Sequence, residues 1–170
     1  MHSFKFKNIL PIEQLDLHKN LLWILHATKI PPHIGISADG SYFSLKVSGK
    51  DQNLKVENVI ALARKKSLAI ICIEINHHFS SLDINRVFSN FSVASSNAAT
   101  CLSPIKKILE FPDAQQLSDL LLYLEEKHTL GKIFGLNLPF DYECLPNYSA
   151  TEIQQRLIKL ENAQRKKSLS

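Results

Sequence analysis

Four residues of the sequence have side chains whose types suit joint chemistry: Cys101, His33, Ser44 and Glu74. Cysteine attacks a carbonyl carbon as its thiolate, so it needs a nearby base that takes its proton. Histidine serves best as that base near neutral pH, and a polar neighbour commonly fixes its tautomer. Whether the four residues can act together depends on the elements that position each of them.

Cys101 stands in the stretch SSNAATCLSPIKKIL, residues 95–109, directly before an apolar-periodic segment. A helix N-terminus lowers the pKa of a thiol through its unpaired N–H groups and its dipole. Either Ser103 caps this helix and Pro104 is its first residue, or Thr100 caps it and Cys101 is its first residue. Proline suits the first position and crowds the turn at the fourth, which favours the arrangement that leaves Cys101 just outside the helix. The alternative role for Cys101 is that of a small apolar packing residue.

The position of His33 follows from a predicted hairpin. Asp39-Gly40 is a strong two-residue turn, because type I′ geometry needs a positive φ at both central positions. Fixing that turn puts two core pairs on one face of the hairpin, Ile36 with Phe43 and Ile34 with Leu45. The other face then carries His33, Gly35, Ser37, Tyr42, Ser44 and Lys46. Ser44 lies diagonal to His33 on that face and within reach of its imidazole.

Glu74 is the second candidate for a group that orients the imidazole. It is a lone carboxylate in the apolar run SLAIICIEI, residues 67–75, and a buried carboxylate needs a partner. Plainer roles are open for both residues. His33 could be a half-exposed residue at the start of its strand, and Glu74 a strand-end residue that reaches solvent.

The order of these residues resembles that of a known family. A strand histidine comes first in PPHIGIS, a polar residue follows in YFSLKV or at Glu74, and a cysteine comes last in NAATCLSPIKKIL. This order is similar to that of the circularly permuted, NlpC-like members of the papain-fold cysteine hydrolases, and to the lecithin retinol acyltransferase group. Over residues 30–110, the resemblance implies Cys101 as nucleophile and His33 as general base, oriented by Ser44 or Glu74. It implies a thiol-dependent hydrolase or acyltransferase that acts on an amide or ester of an acyl or peptide-like substrate, without a cofactor.

The alternative function is a protein-interaction module without catalysis. Residues 91–103 lack periodicity and are rich in Ser, Asn and Ala, which predicts a loop. Residues 139–149 form a second loop flanked by prolines. In this alternative the two loops contact a protein partner, through aromatic side chains of the second loop: Phe140, Tyr142 and Tyr148.

Composition narrows the class of protein. The 170 residues are 45% apolar and 21% charged with a net charge of +4, which predicts one globular domain over residues 1–163 and a flexible tail over 164–170. The basic runs at 64–66 and 165–167 are too short to predict nucleic-acid binding. There is no glycine-rich phosphate loop, and the adjacent His77 and His78 point to opposite sides of a strand end, so neither a nucleotide nor a metal is expected.

The cysteine pattern and the N-terminus predict where the protein works. Cys72, Cys101 and Cys144 are an odd, widely spaced set without a CxxC pair, so we expect free thiols in a reducing compartment. The chain has no apolar run of signal-peptide or membrane-spanning type, which predicts a cytoplasmic protein, with export by another route left open. Cys72 is expected in the core, and Cys144 is expected to be structural or idle.

The remaining pattern predicts an α+β domain. Its small mixed sheet is built on the hairpin at about 33–47 and the buried strand at about 68–75, with helices packed around it. A short strand is also expected over KIFGLNL, residues 132–138. The first predicted helix begins at Pro11 and ends before Pro31; further helices are predicted over 54–66, 81–90, 104–110 and 113–127, and a last one follows a capping box at Ser149 and Glu152. Residues 49–53 are predicted to form a loop.

Overall fold

A seven-stranded mixed sheet organises the protein in a computed structural model that describes residues 3–169. The strand order is β1-β7-β6-β2-β3-β4-β5. The strands are β1 Ile9–Pro11, β2 Leu21–Leu25, β3 His33–Ala38, β4 Ser41–Lys46, β5 Gly49–Lys55, β6 Ile70–Ile75 and β7 Leu130–Leu136. β1 pairs with β7 in parallel, and the other neighbouring strands pair antiparallel. The sheet is open, with β1 and β5 at its edges, and the α+β fold class is confirmed.

Five α-helices cover the two faces of the sheet. They are α1 Val56–Lys65, α2 Ser81–Phe88, α3 Ser103–Ile108, α4 Leu117–Glu126 and α5 Ala150–Leu169, and a short 3-10 helix spans Ile12–Gln14. We call the face that carries Ile34, Ile36 and Phe43 the first face. It forms one core with buried residues of α2, α3, α4 and α5. The second face includes Trp23 and Tyr42, and it packs against α1 and the 3-10 helix.

The predicted hairpin is confirmed, including its register. Asp39 and Gly40 have φ of 52° and 76°, as a type I′ turn requires. The observed partners are Ala38 with Ser41, Ser37 with Tyr42, Ile36 with Phe43, and Gly35 with Ser44. The buried strand in SLAIICIEI is confirmed as β6, at the centre of the sheet between β2 and β7.

The predicted helix that begins at Pro11 and ends before Pro31 is wrong. Residues Ile9–Pro11 form β1, and Leu21–Leu25 form β2, which pairs with β3 on one side and β6 on the other. All five residues of β2 are buried because both faces of the sheet are covered. A strand buried on both faces is continuously apolar, and such a run does not distinguish a strand from a buried helix.

The predicted loop over 49–53 is also wrong, because residues Gly49–Lys55 form the edge strand β5. The sequence of β5 is polar, since an edge strand exposes one side to solvent and charged residues there prevent pairing with other chains. The helix that follows, α1, begins at Val56 instead of the predicted residue 54, because β5 continues to Lys55.

The later elements agree with the prediction apart from their bounds. α2 and α3 occupy the predicted regions, and KIFGLNL falls in β7 and the residues after it. α4 begins at Leu117 after the N-cap residue Gln116, so Asp113 is not its cap. The capping box is confirmed: the Ser149 N–H donates to Glu152 Oε2 over 2.7 Å, and the Glu152 N–H donates to Ser149 Oγ over 3.3 Å. α5 then continues to Leu169, through residues predicted as a flexible tail.

Candidate functional site

A cavity of about 850 Å³ lies between the sheet and α5. Its walls come from residues 26–34, the end of β4, the loop before α3, the residues before α4, and α5. The apolar part of its lining includes Ile34, Leu45, Val47, Leu102, Leu117, Tyr148, Leu157 and Leu160. Small-molecule sites are mostly apolar clefts of about 300–1,000 Å³, and this cavity has that size and character.

Cys101 lines this cavity, two residues before α3 begins. The N-cap residue of this helix is Leu102, and the helix starts at Ser103 with Pro104 as its second residue, so neither Ser103 nor Thr100 is the cap. Cys101 lies outside the helix, as expected from the sequence. The loop is fixed locally, because the Thr100 N–H donates to Ser103 Oγ over 2.8 Å and the Leu102 N–H donates to Thr100 Oγ1 over 3.3 Å. Cys101 itself is half-buried and packs against the first core.

Burial dominates the electrostatics of Cys101. It raises the pKa of the thiol, and nearby backbone groups, including that of Ile34, oppose the shift only in part. The six residues of α3 form a short helix, and the thiol lies outside it, so its dipole has little influence. The resting side chain is therefore a neutral thiol at neutral pH rather than a thiolate.

His33 also lines the cavity, as the first residue of β3. Burial lowers the pKa of its imidazole to about 4; Asp51 opposes that shift, whereas Lys46 and His26 add to it. Its Nε2 atom is buried and has no hydrogen-bond partner among residues 3–169. Side chains alternate along a strand, so His33 starts on the second face while its neighbour Ile34 belongs to the first core, where Cys101 packs.

The two predicted orienting residues do not bond to His33. Ser44 Oγ donates to Asp51 Oδ2 over 2.9 Å, and Asp51 also pairs with Lys46 over 2.8 Å. Glu74 is 7% exposed and sits on β6, outside the cavity lining. Its carboxylate pairs with Lys19 over 3.3 Å and accepts a hydrogen bond from the Lys132 N–H over 3.4 Å. The structure thus brings Cys101 and His33 to one cavity and keeps Ser44 and Glu74 in other networks.

One face of α5 forms a wall of the cavity that the sequence argument missed. The lining residues of α5 follow helical spacing: Ile153, Arg156, Leu157, Leu160, Ala163, Gln164 and Lys167. The apolar spacing of Ile153, Leu157 and Leu160 in the sequence predicts an amphipathic helix, but it indicates only that this face of the helix is covered. Leu157 is buried, and Ile153 and Leu160 are half-buried beside the cavity.

α5 is tied to the loop before α3 by a carboxylate. Glu161 accepts hydrogen bonds from the Ser96 N–H over 2.8 Å and from Ser96 Oγ over 2.9 Å. These bonds lower the pKa of Glu161. The outer side of α5 has a depression of about 510 Å³ lined by residues of that helix alone, and a single helix cannot enclose a ligand.

The 139–149 loop differs from the predicted aromatic contact surface. Phe140 is fully exposed, but the Tyr142 hydroxyl donates to the Ala27 carbonyl over 3.0 Å, and Tyr148 is buried. The hydroxyl of Tyr148 accepts a hydrogen bond from the Leu117 N–H over 3.3 Å. Two of the three aromatic side chains therefore hold the fold together, and Phe140 alone of the three remains open to a partner.

The cysteines and other candidate groups add no second site. Cys72 is buried in the core as predicted, and Cys144 is exposed; all three cysteines are free. Between residues 3 and 169, no three His, Cys, Asp or Glu side chains are grouped in a way that could hold a metal ion. No helix in that part of the chain combines the length and the apolar character needed to cross a membrane.

Comparison with known proteins leaves the site to be interpreted from its own geometry. No protein-family model, curated protein or solved structure matches this chain.

Proposed function

We propose that the protein binds an apolar small molecule in the cavity between the sheet and α5. The observation that carries the proposal is the cavity itself, about 850 Å³ in volume with mostly apolar walls. Each methylene group that a ligand transfers from water into such walls contributes about 0.8 kcal/mol, so a chain of eight to ten carbons suffices for measurable binding.

The wall residues are held by packing that does not depend on a ligand. Ile34 and Leu45 belong to the confirmed hairpin, and Leu102 and Leu117 are buried at the starts of α3 and α4. Preformed walls lower the cost of ordering on binding. The remaining wall, α5, is attached to the rest of the fold in two ways. Leu157 packs into the first core, and Glu161 accepts hydrogen bonds from Ser96.

Titration with 1-decanol, followed by calorimetry, tests the proposal. We expect saturable binding of one molecule per chain, and we expect Val47→Trp to abolish it because the indole fills space that the half-buried Val47 borders. Val59→Trp is the matched control, since Val59 is a half-buried valine of α1 on the second face. Far-ultraviolet circular dichroism checks that both variants fold, and Leu160→Trp replaces Val47→Trp if the latter does not. Absence of saturable binding, or equal binding by a folded cavity-filled variant, rejects the proposal.

A second candidate function is thiol-dependent acyl transfer in the same cavity. It is favoured by one observation, that Cys101 and His33 both line this cavity. In this reaction Cys101 Sγ bonds to the carbonyl carbon of an ester as its proton passes to the His33 imidazole. The bond from that carbon to the leaving oxygen then breaks, and the leaving oxygen takes the proton from His33. Water next attacks the thioester, the C–S bond breaks, and a carboxylic acid and the free thiol are released.

An activated ester tests this second function. With p-nitrophenyl decanoate, we expect a burst of one nitrophenol per chain and a decanoyl adduct on Cys101 by intact mass. The Cys101→Ser variant should lose both, and Cys144→Ser, which removes the exposed cysteine, should keep both. A His33→Gln variant should slow the burst. The function is rejected if Cys101→Ser and the wild type release nitrophenol equally fast.

A further inference from the structure

The charged side chains that line the cavity are all of one sign, positive. The lining includes four cationic residues and two histidines, and it contains no aspartate or glutamate. The cationic and histidine residues are His26, Lys29, His33, Lys46, Arg156 and Lys167. An apolar cavity with positive charge and no negative charge favours a ligand that is anionic at one end.

Two of these cations lack a carboxylate partner. Lys46 is paired with Asp51, whereas neither Lys29 nor Arg156 forms an ion pair within residues 3–169. Both side chains belong to exposed residues, which places them at the solvent side of the lining. Arg156 directly precedes the buried Leu157 on the cavity face of α5, so its charge adjoins the apolar wall.

His26 brings these two cations into one group. Its backbone has a φ of 54°, and its carbonyl accepts a hydrogen bond from the Lys29 N–H over 2.8 Å, which closes a turn after β2. The half-buried imidazole is close enough to Lys29 and Arg156 for both cations to lower its pKa, in addition to the effect of burial. A negative charge bound here would interact favourably with Lys29 and Arg156, two cations from separate elements that both lie near the His26 imidazole.

We propose that the cavity binds a single-chain amphiphile with an anionic head group, whose apolar chain lies between the sheet and α5 and whose head lies against His26, Lys29 and Arg156. This proposal rests on the proposed function, since it names the class of ligand that the cavity takes. The head group needs only a negative charge and hydrogen-bond acceptors, and Arg156 can bind a carboxylate through two N–H groups.

Decanoate and 1-decanol, which share a chain length and differ in charge, test the proposal by calorimetry below the concentration at which decanoate forms micelles. We expect decanoate to bind about tenfold more tightly than 1-decanol at low ionic strength, and the difference to shrink with added salt. Lys29→Gln and Arg156→Gln should each weaken decanoate binding about threefold, and the double variant about tenfold, without a change for 1-decanol.

Lys159→Gln is the matched control, because Lys159 is on α5 close to Arg156 but does not line the cavity. It should bind decanoate as the wild type does. Equal binding of decanoate and 1-decanol, or an equal loss in Lys159→Gln and Arg156→Gln, overturns the anionic ligand and leaves the apolar cavity in place. If neither compound binds, the proposed function is rejected and this inference falls with it.

Discussion

The half-buried residue His33, whose imidazole Nε2 atom is shielded from solvent, should lower the stability of the protein in mild acid. Burial holds the pKa of this group at about 4 in the folded protein, against 6.5 for an unperturbed histidine. Between those values the unfolded chain binds a proton that the folded protein does not. The free energy of unfolding therefore falls as the pH decreases from 6.5 towards 4, and this group alone has no further effect below that range.

The size of the effect follows from the two pKa values. Proton linkage for a single group with a pKa of about 4 folded and 6.5 unfolded gives a loss of about 2 kcal/mol between pH 7 and pH 5. Aspartate and glutamate carboxyls with ordinary pKa values remain mostly ionised at pH 5, so their contribution over this interval is smaller.

Urea unfolding at pH 7 and pH 5 measures the loss, with the fluorescence of Trp23 as the signal. Trp23 is the single tryptophan, it is fully buried, and its indole N–H donates to Ser37 Oγ over 2.7 Å. We expect His33→Gln to remove a large part of the pH dependence and the exposed-histidine control His78→Gln to retain it; the remainder includes the contribution of His26, whose pKa is also lowered in the folded protein. If His33→Gln loses as much stability between pH 7 and pH 5 as the wild type, the argument from burial is wrong.

Two further predictions concern packing and the attachment of α5. Gly35→Ala should destabilise the protein by about 2–3 kcal/mol, because its Cβ would overlap the buried Tyr42 ring, and urea unfolding should show a smaller cost in a Tyr42→Ala background. Ser96→Ala should speed hydrogen exchange in α5, whereas Ser168→Ala, near the far end of the helix, should not. Because the pKa of Glu161 is lowered in the folded protein, the contribution of its bonds is present above its ordinary pKa and is lost as the pH falls through the lowered value. Acid should therefore lower the protection of the α5 amides, measured relative to intrinsic exchange at each pH, more in the wild type than in Ser96→Ala; an equal loss of protection in both would contradict the role of Glu161.

The hairpin was predictable because local chemistry fixes it. An Asp-Gly turn needs positive φ at two positions, and once its two residues are assigned, alternation determines every pair. The observed pairs of Gly35 with Ser44 and Ile36 with Phe43 agree with that register. No distant contact was required to obtain it.

The first helix could not be excluded in the same way. The run Leu21–Leu25 is apolar throughout, and its assignment depends on the two strands that flank it, β3 and β6. β6 is distant from β2 in the sequence, and β3 is separated from β2 by a turn. The polar strand β5 was missed for the opposite reason, because its side chains suit solvent on an edge and resemble those of a loop.

Residues of the candidate site were predictable only where a single local element determines their position. Cys101 and His33 were found from a helix start and a hairpin face, and both line the cavity. Lys29 and Arg156 were missed because their proximity depends on how α5 packs, and nothing in the local sequence of either residue indicates the other. Ser44 was placed correctly next to Gly35, but its bond to Asp51 depends on the strand that was predicted as a loop.

The electrostatics of the cavity favour ligand binding over a preformed catalytic pair. A thiolate–imidazolium pair needs a lowered thiol pKa and a raised imidazole pKa, and burial shifts both groups in the opposite direction. Both resting groups are then neutral, which keeps the apolar walls uncharged and leaves the positive charge at Lys29, Arg156 and the other lining cations. Proton transfer from Cys101 to His33 would have to occur with an acyl group already bound. Binding of a ligand needs neither side chain to change its protonation state, and acyl transfer to Cys101 would have to follow such binding.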